Sequence, residues 1–252
     1  MSLDVKNLSF EYNGCRVLDD IGFSVPKASI TTVLGPNGVG KTTLLKCLNH
    51  ILSPKTGQVT LDGQDIGCLT MSQIARRIAY VPQINRAGQM TVFDAVLMGR
   101  TPHIRIKASA DDINKTQSVM AHLNLCSMGL KSLDRLSGGE LQKVAIARAL
   151  VQEADLMLMD EPTASLDMKN QADILRMVRD VARSHDMAVV MTMHDLNSAL
   201  RYADAYICLK DGKIEGTGKI DKITPDLVSR VYGVAVEIVR HRGFPMVVPL
   251  AA

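Results

Sequence analysis

Apolar and polar residues alternate over Leu3–Tyr12, with Leu3, Val5, Leu8, Phe10 and Tyr12 marking one face and a slip near Asn7. A period of two predicts a strand, and the Asn13-Gly14 pair predicts a turn into a second strand over residues 17–25. Ile30–Leu34 is a short β-branched run ending at a glycine, the pattern of a buried parallel strand. Leu44, Leu45 and Leu48 then fall on one side of a helix expected over residues 41–50. Residues 58–61 read as a small strand that bends at Asp62-Gly63.

From about residue 86 to 154 the period becomes helical, at residues 91–98 and 111–123 and in a long helix over 138–152. Apolar strands follow at Leu156–Met159 and Ala188–Thr192, with a helix over residues 169–185 between them. Strand–helix–strand alternation predicts a parallel sheet with helices packed on it. Residues 205–209, the Asp211-Gly212 pair and residues 213–215 predict an antiparallel hairpin closing one edge of that sheet. No internal repeat interrupts this order. The chain of 252 residues reads as one domain with two lobes. An α/β core is expected from residues 1–85 and 155–252, and a helical block from 86–154.

A net charge of +3, with Lys and Arg spread along the chain, forms no basic stripe, so nucleic acid is not an expected partner. The five cysteines include no C-x-x-C pair and are expected to be reduced thiols. The opening residues show no basic region followed by an apolar stretch, so no signal peptide is expected. The apolar runs are too short to cross a bilayer. A chain with this pattern reaches a membrane only through a partner.

Gly35-Pro36-Asn37-Gly38-Val39-Gly40-Lys41-Thr42 matches G-x-x-x-x-G-K-[ST] at every fixed position. Its context, a β-branched strand before and an apolar helix after, is the one such a loop needs. Glycines let backbone N–H groups turn inward around phosphates, and the following helix aims its positive end at the same anion. Lys41 would supply charge to the β- and γ-phosphates, and the Thr42 hydroxyl could ligate Mg²⁺. Leu156–Met159 delivers two acids, Asp160 and Glu161, at the carboxyl end of a strand. Asp160 is placed to hold Mg²⁺, and Glu161 to polarise an attacking water as general base. Taken alone, the pair could also be solvated acids capping the turn before Pro162.

Leu136-Ser137-Gly138-Gly139-Glu140, followed by Leu141-Gln142, places a helix N-cap and two glycines ahead of the long helix. That is a second anion site, and one chain needs only one for a γ-phosphate. The run resembles the signature of the ABC ATPases, and the resemblance covers the whole chain because further motifs follow in the family's order. It implies a P-loop NTPase (RecA-like) α/β fold: a parallel sheet core with a small antiparallel β subdomain and an inserted α-helical subdomain. It also implies an ATPase that dimerises head-to-tail around two ATP molecules. Tyr12 then matches the aromatic that stacks on adenine, and Gln83 the glutamine that joins Mg²⁺ and transporter to the catalytic site. Ser165-Leu166-Asp167 matches the loop that crosses between subunits, and His194 the switch histidine near the γ-phosphate. Each nucleotide is expected to touch Tyr12, Gly38, Gly40, Lys41, Thr42, Thr43, Gln83, Asp160, Glu161 and His194 of one chain. Ser137, Gly138 and Gly139 of the other chain close over it. Two departures, Ala164-Ser165 where many relatives have Ser-Ala and Lys143 where arginine is common, are expected to leave activity intact.

The run Val92-Phe93-Asp94-Ala95-Val96-Leu97-Met98-Gly99-Arg100-Thr101-Pro102-His103 and the tail Val231-Tyr232-Gly233-Val234-Ala235-Val236-Glu237 are similar to one branch of the family. That branch comprises importers of iron–siderophore, haem, cobalamin and related chelates. The resemblance implies peripheral attachment at the cytoplasmic side of the cell membrane, permease partners docking around residues 83–103, and an extracytoplasmic substrate-binding protein. Val92, Phe93, Val96 and Leu97 are candidates for the permease groove, though some could simply pack the helical lobe, and Arg100 is expected on the same surface. The alternatives are another ABC transporter class, an exporter half included, or a soluble ABC ATPase. Ribosome-acting relatives carry two cassettes, and chromosome-packing relatives a coiled coil between loop and signature, where this chain has no sustained heptads. The short chain after His194 argues against the sugar-importer type.

Overall fold

A computed structural model describes residues 2–83, 88–164 and 166–250. β1 (Leu3–Tyr12) and β2 (Cys15–Val25) pair as a hairpin, and the slip in the pattern is a bulge. Asn7 adopts φ +49°, and the pairing shifts between Val5 opposite Phe23 and Leu8 opposite Ile21. β3 (Ile30–Leu34) is buried at every position and runs into the phosphate loop and α1 (Lys41–Leu48). β4 (Thr56–Leu61) and the short β5 (Gln64–Asp65) complete an antiparallel sheet in the order β2-β1-β4-β5. α2 (Met71–Arg77), capped by Thr70 and Gln73, passes directly into β6 (Ile78–Val81).

Between β6 and the next strand the described chain is helical, with α3 (Val92–Leu97), α4 (Ala110–His122) and α5 (Gly138–Leu150). β7 (Leu156–Met159), α6 (Met168–Ser184), β8 (Ala188–Thr192) and α7 (Leu196–Tyr202) return the chain to the core. β9 (Ala205–Lys210) and β10 (Lys213–Lys219) follow, then α8 (Pro225–Tyr232) and a last hairpin of β11 (Val236–His241) and β12 (Phe244–Pro249). The second sheet has the order β10-β9-β3-β8-β7-β6, parallel throughout except for β10, the expected antiparallel edge.

Side chains of a strand alternate between faces, and here both faces are buried. Met157, Met159, Val189, Met191, Ala79 and Val81 point to a cluster formed with α3, α5, α6, α7 and α8. Leu156, Leu158, Ala188, Val190, Ile78 and Val33 point to the opposite cluster, formed with α1 and the antiparallel sheet. This explains the near-continuous apolar runs in place of an apolar–polar alternation.

The run after Gln83 needs correcting. Val92 and Val96 are fully buried in the core and cannot line a docking groove. The large apolar residues this run exposes are Met90 and Met98, with Phe93 and Leu97 half-buried; residues 84–87 lie outside the described residues. Arg100 is 3% exposed and is not a surface charge. Its guanidinium donates to Asp112 (2.9 Å), Glu153 (2.7 Å) and the Val151 carbonyl (2.8 Å), tying α4 to the end of α5. Removing Arg100 leaves the buried Asp112 carboxylate without its ion pair, whereas Glu153 is half-exposed and keeps Lys115. Arg100→Met is therefore expected to lower unfolding free energy by about 3–5 kcal/mol in a denaturant titration. A loss below about 1 kcal/mol would mean the network carries no structural role.

Candidate functional site

Four strands of the parallel sheet end side by side, and each delivers part of the site. The register sets Val81 opposite Met159, Met159 opposite Met191, and Thr192 opposite Val33, so β6, β7, β8 and β3 stop at one level. Beyond these ends lie Gln83, the Asp160–Glu161 pair, His194 and the loop Gly35–Gly40. This is the carboxyl edge, where ligands bind in open α/β sheets.

The loop's glycines are required by its geometry. Gly35 has φ +148°, and a Cβ there would sit 2.4 Å from the Leu209 carbonyl oxygen. Gly40, at φ +105°, caps α1 with its back against the Val17 carbonyl and the Leu18 side chain. Lys41 is buried and donates its Nζ to the carbonyls of Gly35 (2.7 Å) and Pro36 (3.0 Å). Burial lowers its pKa below the ordinary 10.5, against the opposing pull of the Glu161 and Asp160 carboxylates. Thr42 and Thr43 follow on the first turn of α1, half-buried. Pro36, Asn37, Gly38 and Val39 line a 510 Å³ cavity, together with Cys15, Arg16 and Val17 of the first hairpin. Tyr12 stands near the turn of that hairpin, 44% exposed, its ring edge-on to Phe10 at 4.7 Å. An aromatic held by a core neighbour with its outer surface free is suited to stacking a base.

Glu161 is held on three sides. Its Oε2 accepts from Gln83 Nε2 (2.6 Å), its Oε1 lies 2.5 Å from His194 Nε2, and its own N–H donates to Thr192 Oγ1 (2.8 Å). It adopts φ +47°, a left-handed conformation that a non-glycine residue keeps only when its surroundings impose it. The Thr192 hydroxyl in turn donates to Oδ1 of the buried Asp160 (2.8 Å). The expected residues Gln83, Asp160, Glu161 and His194 thus converge with the loop and Lys41.

Thr192 is the residue that sequence reasoning missed. It is fully buried and orients both acids at once. Thr192→Val keeps the shape but leaves the Glu161 N–H and one Asp160 oxygen unpaired, at about 1–3 kcal/mol each. The expected result is a turnover number at least about tenfold lower with Thr192→Ser near wild type, measured as phosphate release. Equal activities of the two variants would deny Thr192 this part.

The signature residues lie elsewhere on the chain. Ser137 caps α5: its Oγ accepts from the Glu140 N–H (3.3 Å), and Glu140 Oε2 accepts from the Ser137 N–H (2.7 Å). The Glu140 carboxyl is held below its ordinary pKa, chiefly by the hydrogen bond from the Ser137 backbone N–H and then by the Ser137 side chain. Ser137 and Gly138 are exposed, while Gly139 is buried beside Asn170. Asp167 caps α6, accepting from the Asn170 N–H at 2.8 Å; Ser165 lies outside the described residues. Among the described residues no hydrogen bond or ion pair joins Ser137–Glu140 to the phosphate loop.

The ABC transporter family matches residues 18–164. An uncharacterized ABC transporter ATP-binding protein of Methanocaldococcus jannaschii is 47% identical over 250 residues, 99% of this chain and 98% of its own. The ferric enterobactin transport ATP-binding protein FepC of Escherichia coli is 35% identical over 251 residues, 97% of this chain and 93% of its own. A solved structure described as a metal-chelate type ABC transporter in an inward-facing conformation superposes with a TM-score of 0.87 at 31% identity. That match covers 99% of this chain and 97% of the other. The chain belongs to the ABC transporter family. It is the ATP-binding subunit, an ATPase on a P-loop α/β sheet, and its likeness runs to the iron-chelate, siderophore and cobalamin branch.

Proposed function

We propose that this ATPase works as a head-to-tail pair of identical chains and powers the import of a metal chelate. The pairing is carried by one observation: the chain holds two anion-binding half-sites that its own fold keeps apart. α1, which follows the phosphate loop, packs into one core cluster, and α5, which follows the signature, packs into the other. The half-sites meet only when Ser137, Gly138 and Gly139 of a second chain face the loop of the first, with Glu140 bracing that helix end and Asp167 near the crossing. Both half-sites are intact, which favours two copies of one chain. The reading of residues 1–252 as one ATPase domain with a helical lobe over 86–154 belongs to the same proposal.

Within each site Tyr12 stacks the adenine, and backbone N–H groups between Asn37 and Thr43 cradle the phosphates, with Gly35 and Pro36 shaping the start of the loop. Lys41 leaves its two loop carbonyls for the phosphate oxygens. Glu161 takes a proton from the attacking water, and His194 and Gln83 hold its carboxylate in place. The donor set fits magnesium: Thr42 offers a hydroxyl, Asp160 a carboxylate oxygen and Gln83 an amide oxygen, all hard ligands. Among the described residues no cluster of three His, Cys, Asp or Glu side chains could hold a metal. When bound, Mg²⁺ would neutralise charge on the phosphates.

The chelate assignment rests on relatives that span nearly the whole chain, FepC and the metal-chelate type transporter structure, together with the similarity of residues 92–103 and the tail. No helix among the described residues is long and apolar enough to cross a membrane. In this reading a permease holds the chain peripherally at the cytoplasmic face, while an extracytoplasmic binding protein delivers the chelate. The test is a pull-down of tagged Glu161→Gln protein from detergent-solubilised host membranes with ATP. Co-purification of a polytopic permease supports the reading. Recovery of this chain alone, where a known membrane complex survives, removes the importer claim and leaves the ATPase standing.

A further inference from the structure

We infer that Tyr232, at the end of α8, is a positioning residue for the phosphate loop and sets the affinity for ATP. Its phenolic oxygen accepts from the Gly35 N–H at 3.0 Å, across 197 residues of sequence. Gly35 is the hinge where the chain leaves β3 and becomes the loop. The peptide before Gly35 is fixed by Tyr232, and the peptide after it by Lys41, whose Nζ donates to the Gly35 carbonyl at 2.7 Å. The only soft torsions between these two anchors belong to a glycine, the residue with the most conformations to lose. When Lys41 turns to the phosphates, one of the two anchors is released. Tyr232 then alone holds the start of the loop in its binding form.

α8 is built to bear this load. Leu227, Val228 and Val231 are buried in the core cluster, and Lys210 Nζ donates to the Arg230 carbonyl (2.8 Å), pinning the helix end to β9. Val231 lines the same cavity as Pro36–Val39. Pre-organisation of this kind lowers the cost of binding and leaves the chemical step alone, because among the described residues no hydrogen bond joins Tyr232 to Asp160, Glu161, Thr192 or His194.

The test is Tyr232→Phe in the full-length chain, which keeps the packed ring and deletes only the oxygen. Loss of one hydrogen bond of ordinary strength predicts ATP binding and KM about three- to tenfold weaker, with kcat within about twofold. ATP affinity is read by displacement of a fluorescent ATP analogue, and melting temperature is read alongside. An affinity within twofold of wild type overturns the inference, as does a loss of kcat at unchanged KM. A lower melting temperature with unchanged affinity makes Tyr232 an anchor of α8 only and overturns it equally. Tyr232→His, which can still present a ring nitrogen to the Gly35 N–H, separates the bond from the ring: affinity nearer wild type than Phe supports the assignment.

Discussion

Glu161→Gln is expected to lower ATP turnover by about two to four orders of magnitude while ATP still binds. The substitution is nearly isosteric, and Gln83 and Thr192 keep their bonds to residue 161. An amide oxygen still accepts from Gln83, and the backbone N–H still reaches Thr192. What disappears is the basic carboxylate, and the neighbouring acid does not replace it, since Asp160 is buried and tied to Thr192. Phosphate release and equilibrium ATP binding on the same preparation check this. Turnover within tenfold of wild type would remove Glu161 from the role of base. With hydrolysis blocked, size-exclusion in ATP should show a dimer, and a monomer there would count against the paired arrangement.

Lys41→Ala is expected to weaken ATP binding by about two to three orders of magnitude, the effect of deleting a charge-assisted hydrogen-bond donor from a buried site. Lys41 already lies against the loop, with its ammonium on two of the loop's own carbonyls. Unaltered ATP affinity would contradict the phosphate-loop assignment. The same residue has a pH signature in the nucleotide-free chain. Its folded pKa lies below 10.5, so between the folded and unfolded values the unfolded chain holds more protons. Stability attributable to Lys41 therefore rises with pH across that window. Lys41→Ala should flatten this part of an alkaline denaturation curve.

Much of the fold was legible in the sequence, because long apolar runs and glycine turns are local signals. The buried strands at Ile30–Leu34, Leu156–Met159 and Ala188–Thr192 read directly; the slip near Asn7 was visible in the pattern, and the structure shows it to be a bulge. β6 did not: Ile78–Val81 is four residues long and follows Arg76-Arg77 with no break. α2 and α8 carried capping signals that went unread, Thr70 with Gln73 and Thr224 before Pro225. The candidate residues Lys41, Asp160 and Glu161 stood out because their chemistry is written into short motifs, while His194 entered only through the family resemblance. Thr192 and Tyr232 did not stand out, since their hydrogen bonds span 31 and 197 residues and each looks like an ordinary core position. Arg100 misled for a related reason. Its partners Asp112 and Glu153 lie 12 and 53 residues away, and only the fold shows that a charge at Arg100 is enclosed.

The parallel sheet contributes alternate side chains of the same strands to two cores. Neither core can lose its order while the other keeps it, since Met157 and Leu158 are neighbours on one backbone with opposite allegiances. The two sides of the sheet are therefore expected to melt as a single cooperative unit. Nucleotide bound at the carboxyl edge is expected to slow amide exchange in both cores, which hydrogen exchange with and without ATP would show.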